Sequence, residues 1–180
     1  LLTPVFSIIT NIDNDHLDFY GGEEALKEAF VEFANKVPFY GLNALNIHDP
    51  KIQDIRGLIK KQVSYFGIED EQKFEDIDYS ARNIMWDSFK SNFDLYYKGK
   101  KETNISINLP GRHNILNALG AISIAHEMGV EFQVIKRAVK EFNGVGRRFE
   151  LLLDEGNLQV IDDYAHHPTE IRNTISILNH

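Results

Sequence analysis

The chain is 180 residues long, with 27 acidic and 19 basic side chains, a net charge of −8 and no cysteine. The acidic balance argues against a general nucleic-acid or anionic-membrane binder, because no basic field draws in phosphates, although a few local groups can still hold a small anionic ligand. Disulfide scaffolds, zinc–thiolate sites, iron–sulfur clusters and thiol nucleophiles are excluded, and no apolar run approaches the ~18 residues that cross a bilayer. The opening LLTPVFSIIT has neither a basic n-region nor a small-residue cleavage site, so it does not read as a signal peptide. It lacks Met and begins inside an apolar run, which reads as a cut through a longer chain.

Val5 to Thr10 is a short β-branched and aromatic run, expected as a buried strand, and the polar stretch Asn11 to Gly22 is expected as a loop. Ala25, Leu26, Ala29, Phe30 and Phe33 recur at helical spacing within Glu23 to Lys36, and Pro38 and Gly41 stop that helix. Leu42 to Ile47 follows as a strand. Asp49-Pro50 is a helix-start signal, with Ile52, Ile55, Leu58 and Ile59 as the apolar stripe. Val63 to Phe66 is the next strand. Alternating strands and helices predict a parallel sheet with crossover helices.

From Ile77 to Leu109 the helical period disappears. Asn92 to Tyr97 and Asn104 to Leu109, joined by a turn at Lys98 to Lys101, predict a β-hairpin. His113 to Met128 is apolar nearly all round, so it predicts a buried helix, closed by Gly129. Glu131 to Phe142 is a second, amphipathic helix. Asn143 to Gly146 is a turn or hinge, and a domain boundary is expected there: residues 1–146 before it, 147–180 after it. A further hairpin over Arg148 to Asp162, a polar loop and a helix from Pro168 onward complete the chain, the last helix with nothing to pack on.

Four strings carry candidate chemistry. TNIDNDHLD, Thr10 to Asp18, follows a strand, where open α/β sheets bind ligands; His16 between acidic neighbours could hold a metal, although an ordinary Asp-rich loop gives the same string. GRHNILN, Gly111 to Asn117, places Asn114 and Asn117 on one face of a helix start, where carboxamides can read a planar base. Plain N-capping by Asn114 is the simpler account, but Asn117 in an apolar helix reads as a buried carboxamide that needs a partner. GVGRRFE, Gly144 to Glu150, pairs arginines at a glycine hinge, which suits either a phosphate clamp or salt bridges to Glu150 or Asp154. DDYAHHPTE, Asp162 to Glu170, packs two carboxylates and two imidazoles into a strand-to-helix junction. His48, His126 and His180 read as surface or helix-face residues.

In this order and spacing, the four strings resemble the Mur ligases of peptidoglycan synthesis. The resemblance implies an α/β fold: the later part of a central ATP-binding domain, with a partly parallel sheet, crossover helices and a β-hairpin region, then the start of a Rossmann-like C-terminal domain that binds the amino acid. It implies an ATP- and Mg2+-dependent ligase in the bacterial cytoplasm, in which a sugar-lactyl carboxylate becomes an acyl phosphate and is then attacked by an amine. His16 matches the metal-associated residue, and Asn114 and Asn117 the adenine-contacting pair. Arg148 matches the hinge arginine that reaches ATP phosphate on closure, and Asp163 the nucleotide-contacting carboxylate. Asn11, His166 and His167 fall on the substrate side. The family's G-x-x-G-K-[ST] phosphate loop is not in these residues. Tyr164 and Phe149 favour the member that joins L-alanine to UDP-N-acetylmuramic acid over the recycling member that attaches a tripeptide. A metal-dependent phosphoesterase using His16, Asp18, Asp162, Asp163 and His166, and a non-catalytic nucleotide-binding module, are the readings of other classes.

Overall fold

The computed structural model describes residues 3–14, 17–69, 74–87, 89–156 and 158–178. Strands β1 (Phe6–Ile9), β2 (Leu42–Asn46), β3 (Val63–Ile68), β4 (Tyr79–Asp87), β5 (Lys90–Tyr97) and β6 (Lys100–Ile107) lie side by side in that order in one sheet. β1 through β4 are parallel to their neighbours, and β4, β5 and β6 are antiparallel. The β5–β6 turn is tighter than the sequence suggests. Lys98 and Gly99 both have positive φ (48° and 78°), the two-residue turn whose twist matches the strands, and pairing resumes at Lys100.

Helices cover the parallel part on both sides. α2 (Glu23–Asn35) and α3 (Pro50–Ile55) bury Leu26, Ala34, Ile52 and Ile55 against Ile9 and Leu45 on one face. α4 (Arg112–Glu127) and α5 (Phe132–Glu141) bury Ile115, Leu119, Ile122 and Ile135 against Ala44, Phe66, Phe93, Leu95 and Ile105 on the other. Strand β2 is therefore buried along its whole length. Its one awkward residue, Asn43, is satisfied there. The carboxamide accepts from Ser7 Oγ (2.5 Å) and donates to Ala34 O (3.2 Å) and Gln62 O (3.3 Å), tying β1, the end of α2 and the start of β3 together. Two glycines are fixed by close approach: a Cβ on Gly41 would stand 1.9 Å from Val5 O, and one on Gly120 would meet Ile8 and Phe66.

Some expectations need correction. The stretch after β1 is not all loop, since α1 (Leu17–Tyr20) forms within it. Asp49 caps α3 as expected, accepting from Ile52 N at 2.9 Å, but a 3-10 turn at Arg56–Leu58 follows and leaves Leu58 exposed rather than on the apolar stripe. His48 is not a mere surface residue: its Nε2 accepts from Ile68 N (2.8 Å) and fixes the end of β3. His126 stacks on Phe132 (4.0 Å between centroids) and hydrogen-bonds the buried Tyr79 hydroxyl, whose titration is pushed up by burial and by Glu127.

β7 (Glu150–Glu155) and β8 (Leu158–Asp162) form a separate antiparallel pair, followed by α6 (Pro168–Leu178). α6 does have a neighbour: a Cβ on Gly111 would stand 2.9 Å from Ile177, so the helix touches the start of α4.

Candidate functional site

The loop leaving the carboxyl end of β1 is held from beneath. Asn46 Nδ2 donates to Thr10 O (2.9 Å), and Asp49 Oδ2 accepts from Ile12 N (3.1 Å) while its other oxygen caps α3. Ile12 is buried, which pins the backbone and leaves Asn11 and Asn14 exposed. Lys51 donates to Asn14. His16 lies outside the described residues.

At the start of α4, Gly111 with φ 96° takes the N-cap position, so Asn114 is not the cap. Asn114 Nδ2 instead donates back to Pro110 O at 2.6 Å. The Asn117 side chain is exposed and makes no hydrogen bond among the described residues, which overturns its reading as a buried carboxamide. The helix is apolar nearly all round, but its buried side runs through Ile115, Leu116, Leu119 and Ile122, and Asn117 lies off it. One open carboxamide therefore stands a turn above a partly engaged one. Beside them, burial pushes the His113 imidazole below its ordinary pKa, opposed by the charge of Asp163.

The turn at Arg147 to Phe149 and the loop after β8 are one hydrogen-bonded unit. Arg147 and Phe149 both adopt positive φ (60° and 50°), an uncommon state for side chains of their size. Asp163 holds that geometry: Oδ2 accepts from Phe149 N (3.0 Å) and Oδ1 from Ala165 N (2.7 Å). Tyr164 N donates to Arg147 O (2.8 Å), and its ring lies under both guanidiniums, 5.1 Å from Arg147 and 5.6 Å from Arg148. The arginines do pair with acids, but not with the side chains expected. Arg147 faces Asp162 (3.6 Å) and Arg148 faces Glu170 (3.4 Å), while Glu150 accepts from the Arg147 backbone (2.7 Å). Glu170 also accepts from His166 N (3.2 Å) and His167 N (3.4 Å), and these amides, His166 first, hold its carboxyl below the usual range.

This unit meets the β1 loop through Asp13. His167 Nδ1 lies 3.6 Å from Asp13 Oδ2, and the Thr169 side chain hydrogen-bonds the same carboxylate. The Thr169 bond is the first cause of a lowered Asp13 pKa, reinforced by the Asn14 amide, His167 and Lys51 against the cost of burial. The structure thus brings Arg148, Asp163, His166 and His167 into one cluster, joins His167 to the loop of Asn11, and sets His113 of the Asn114 helix beside Asp163. Sequence reasoning passed over Asp13, His113 and Glu170. Glu170, in the first turn of a helix opened by Pro168, has the position of a capping acid, which was the one available signal.

A cleft of about 530 Å3 beside β2 is lined by His48, Gln53, Arg56, Phe74 and Asp76, and none of the described motif residues line it. Among the described residues no group of three or more His, Asp or Glu could hold a metal. An open carboxamide, helix N–H groups at Gly111 and a half-exposed guanidinium are the donor set that a nucleotide's base and phosphates require.

The Mur ligase middle-domain family matches residues 1–125. The UDP-N-acetylmuramate–L-alanine ligase of Geotalea daltonii is 44% identical over 175 residues, covering 97% of this chain and 37% of that protein. Among solved structures, MurF from Acinetobacter baumannii superposes with a TM-score of 0.85 at 25% identity, covering 98% of this chain and 38% of that one. The UDP-N-acetylmuramate-alanine ligase MurC of Thermotoga maritima superposes with a TM-score of 0.80 at 28% identity, over 98% and 38%. The chain belongs to the Mur ligase family. It spans a little over a third of the length of the curated relatives it matches.

Proposed function

We propose that the whole protein joins L-alanine to the lactyl carboxylate of UDP-N-acetylmuramic acid, using ATP and Mg2+, through an acyl phosphate, in the bacterial cytoplasm. The observation that carries this is the extent of the likeness. The match to the Geotalea daltonii ligase covers nearly all of the chain, well past the middle-domain match that ends at residue 125. It therefore takes in the hinge and the DDYAHHPTE loop as well as the sheet.

In this reading residues 1–146 contribute the later part of the ATP-binding domain and residues 147–180 the start of the amino-acid-binding domain. Asn117, with Asn114 a turn below, reads the adenine; ATP supplies the phosphoryl group. Arg148 supplies fixed positive charge toward the phosphates when the hinge closes, which acts on charge that develops during transfer. Asp163 serves the nucleotide side by holding the Phe149 backbone and by standing beside His113. Asn11, His166 and His167 lie on the substrate side, with His16 as the metal-associated residue.

The test uses the protein extended to the length of its relatives. Phosphate release should require ATP, UDP-N-acetylmuramic acid and L-alanine together. Preference for a tripeptide over alanine would instead give the recycling ligase. Hydrolysis of a model phosphate ester without an amine would give the phosphoesterase, and ATP binding with no turnover a nucleotide-binding module. Residues 1–180 alone should be silent in ligation, because the G-x-x-G-K-[ST] cradle for the β- and γ-phosphates is not among them.

A further inference from the structure

We infer that Glu170 is the positioning residue that aims Arg148, and that it is what distinguishes Arg148 from its neighbour Arg147; the inference rests on the ligase reading above. A guanidinium on a flexible stem loses rotamer freedom when it is ordered, and a group already ordered before the substrate arrives spares that loss in the reacting complex. Arg148 is ordered from several sides. Its backbone lies between two residues of positive φ, and Phe149 is anchored by burial and by Asp163. Its guanidinium lies over Tyr164.

Glu170 adds the direction. Its two oxygens have separate partners: Oε2 takes the His166 and His167 amides, and Oε1 takes Arg148 Nη1. A carboxylate tied to backbone through one oxygen cannot follow the arginine about. It offers a fixed acceptor, and Arg148 must come to it. Arg147 has no share in this acceptor. Its guanidinium pairs with Asp162 at the end of β8. Helix α6, the loop before it and Arg148 therefore move as one piece when the hinge turns, and Arg148 arrives already aimed.

The experiment is a double-mutant cycle in the extended protein. Glu170→Gln keeps a carbonyl oxygen for the His166 and His167 amides but removes the charge that holds Arg148. It should lower kcat by about 10- to 100-fold, the scale of a misplaced catalytic group, with KM for ATP nearly unchanged. In an Arg148→Ala background the same change should add nothing, because the two residues act as a unit. Equal losses from Glu170→Gln in both backgrounds would mean Glu170 only caps α6, and would overturn the inference.

A second readout needs no turnover. In the ligand-free protein, 15N NMR should show rotation of the Arg148 guanidinium about Nε–Cζ to be hindered, and freed by Glu170→Gln, with Arg147 unaffected. Unchanged Arg148 rotation overturns the inference whatever reaction the protein performs. Undiminished turnover in Arg148→Ala overturns the ligase role of Arg148 itself, and that failure is distinct from slow Arg148→Ala beside fast Glu170→Gln, which removes only Glu170.

Discussion

The six-stranded sheet and the β7–β8–α6 segment are held by different forces. In the sheet, Phe66, Tyr79, Phe93, Leu95 and Ile105 are fully buried between the strands and α4. In the segment, Leu151, Leu152, Leu158, Val160, Ile171, Ile175 and Leu178 all remain exposed, and after residue 146 only Phe149 is buried among the described residues. Among the described residues, the contacts that tie the segment to the rest include a small polar set, Asp13 with His167 and Thr169 and His113 with Asp163, and the contact of Ile177 with Gly111. Regions with few buried apolar contacts open at low cost, and such regions supply the moving parts of enzymes. The candidate chemistry lies across that seam, with carboxamides on the rigid side and arginines on the loosely held one.

The sharpest way to break this contrast is a pair of truncations. Phe93→Ala should cost about 3–5 kcal/mol of stability, read by equilibrium urea unfolding, because Phe93 has no exposed surface. Leu152→Ala, at a residue 59% exposed, should stay within about 0.5 kcal/mol. Comparable losses would show that the segment has a core of its own.

Next in size is the arginine pair. Arg148→Ala in the extended protein should reduce turnover by about 10²- to 10³-fold, the usual loss for one preorganised charge-stabilising donor, with little change in ATP affinity. Arg147→Ala should do much less, since its exposed pair with Asp162 contributes about 0–1 kcal/mol. A larger loss for Arg147 would put the functional guanidinium on the wrong residue of the pair.

On the rigid side, Asn117→Ala should weaken ATP binding by about 0.5–1.5 kcal/mol, one carboxamide–base bond, and leave the melting temperature where it is. An exposed side chain without a partner has little to give to stability, so a sharp fall in melting temperature at unchanged affinity would sink the adenine assignment.

The smallest effect belongs to the seam. The folded state holds His113 below its unfolded pKa of about 6.5. Between that value and the lower folded pKa, the unfolded chain binds more protons. The His113 contribution to stability is therefore complete above about pH 6.5 and declines as pH falls through that window. His113→Gln should flatten the decline in thermal unfolding measured from pH 7.5 to 5. A slope that survives the change would place the titrating group elsewhere.

Much of this architecture was legible in local pattern. Short apolar runs mark β1, β2 and β3, and period-3.6 runs mark the longer helices, because side chains three and four apart share a helix face whatever the rest of the chain does; β4, parallel to β3, carried no such mark. Asp49-Pro50 marks the start of α3 because a carboxylate before a fixed φ satisfies free N–H groups locally. Asn117 shows where local pattern stops. A helix with apolar residues nearly all round does not say which side the sheet will take, and only the placement of α4 across β1 to β4 leaves that carboxamide outside.

The sequence by itself determined strands β1 to β3, the longer helices, the glycine-rich turn before Arg147, and the four strings that identify the family, since each depends on residues close together in the chain. Tertiary structure alone decided that Asp13 meets His167 and Thr169, that Arg148 faces Glu170 while Arg147 faces Asp162, and that Asp163 spends both oxygens on backbone amides. Those pairings are set by how the sheet, α4 and the β7–β8–α6 segment come together in space, and a carboxylate has the same charge and reach beside any of several partners until the fold chooses one.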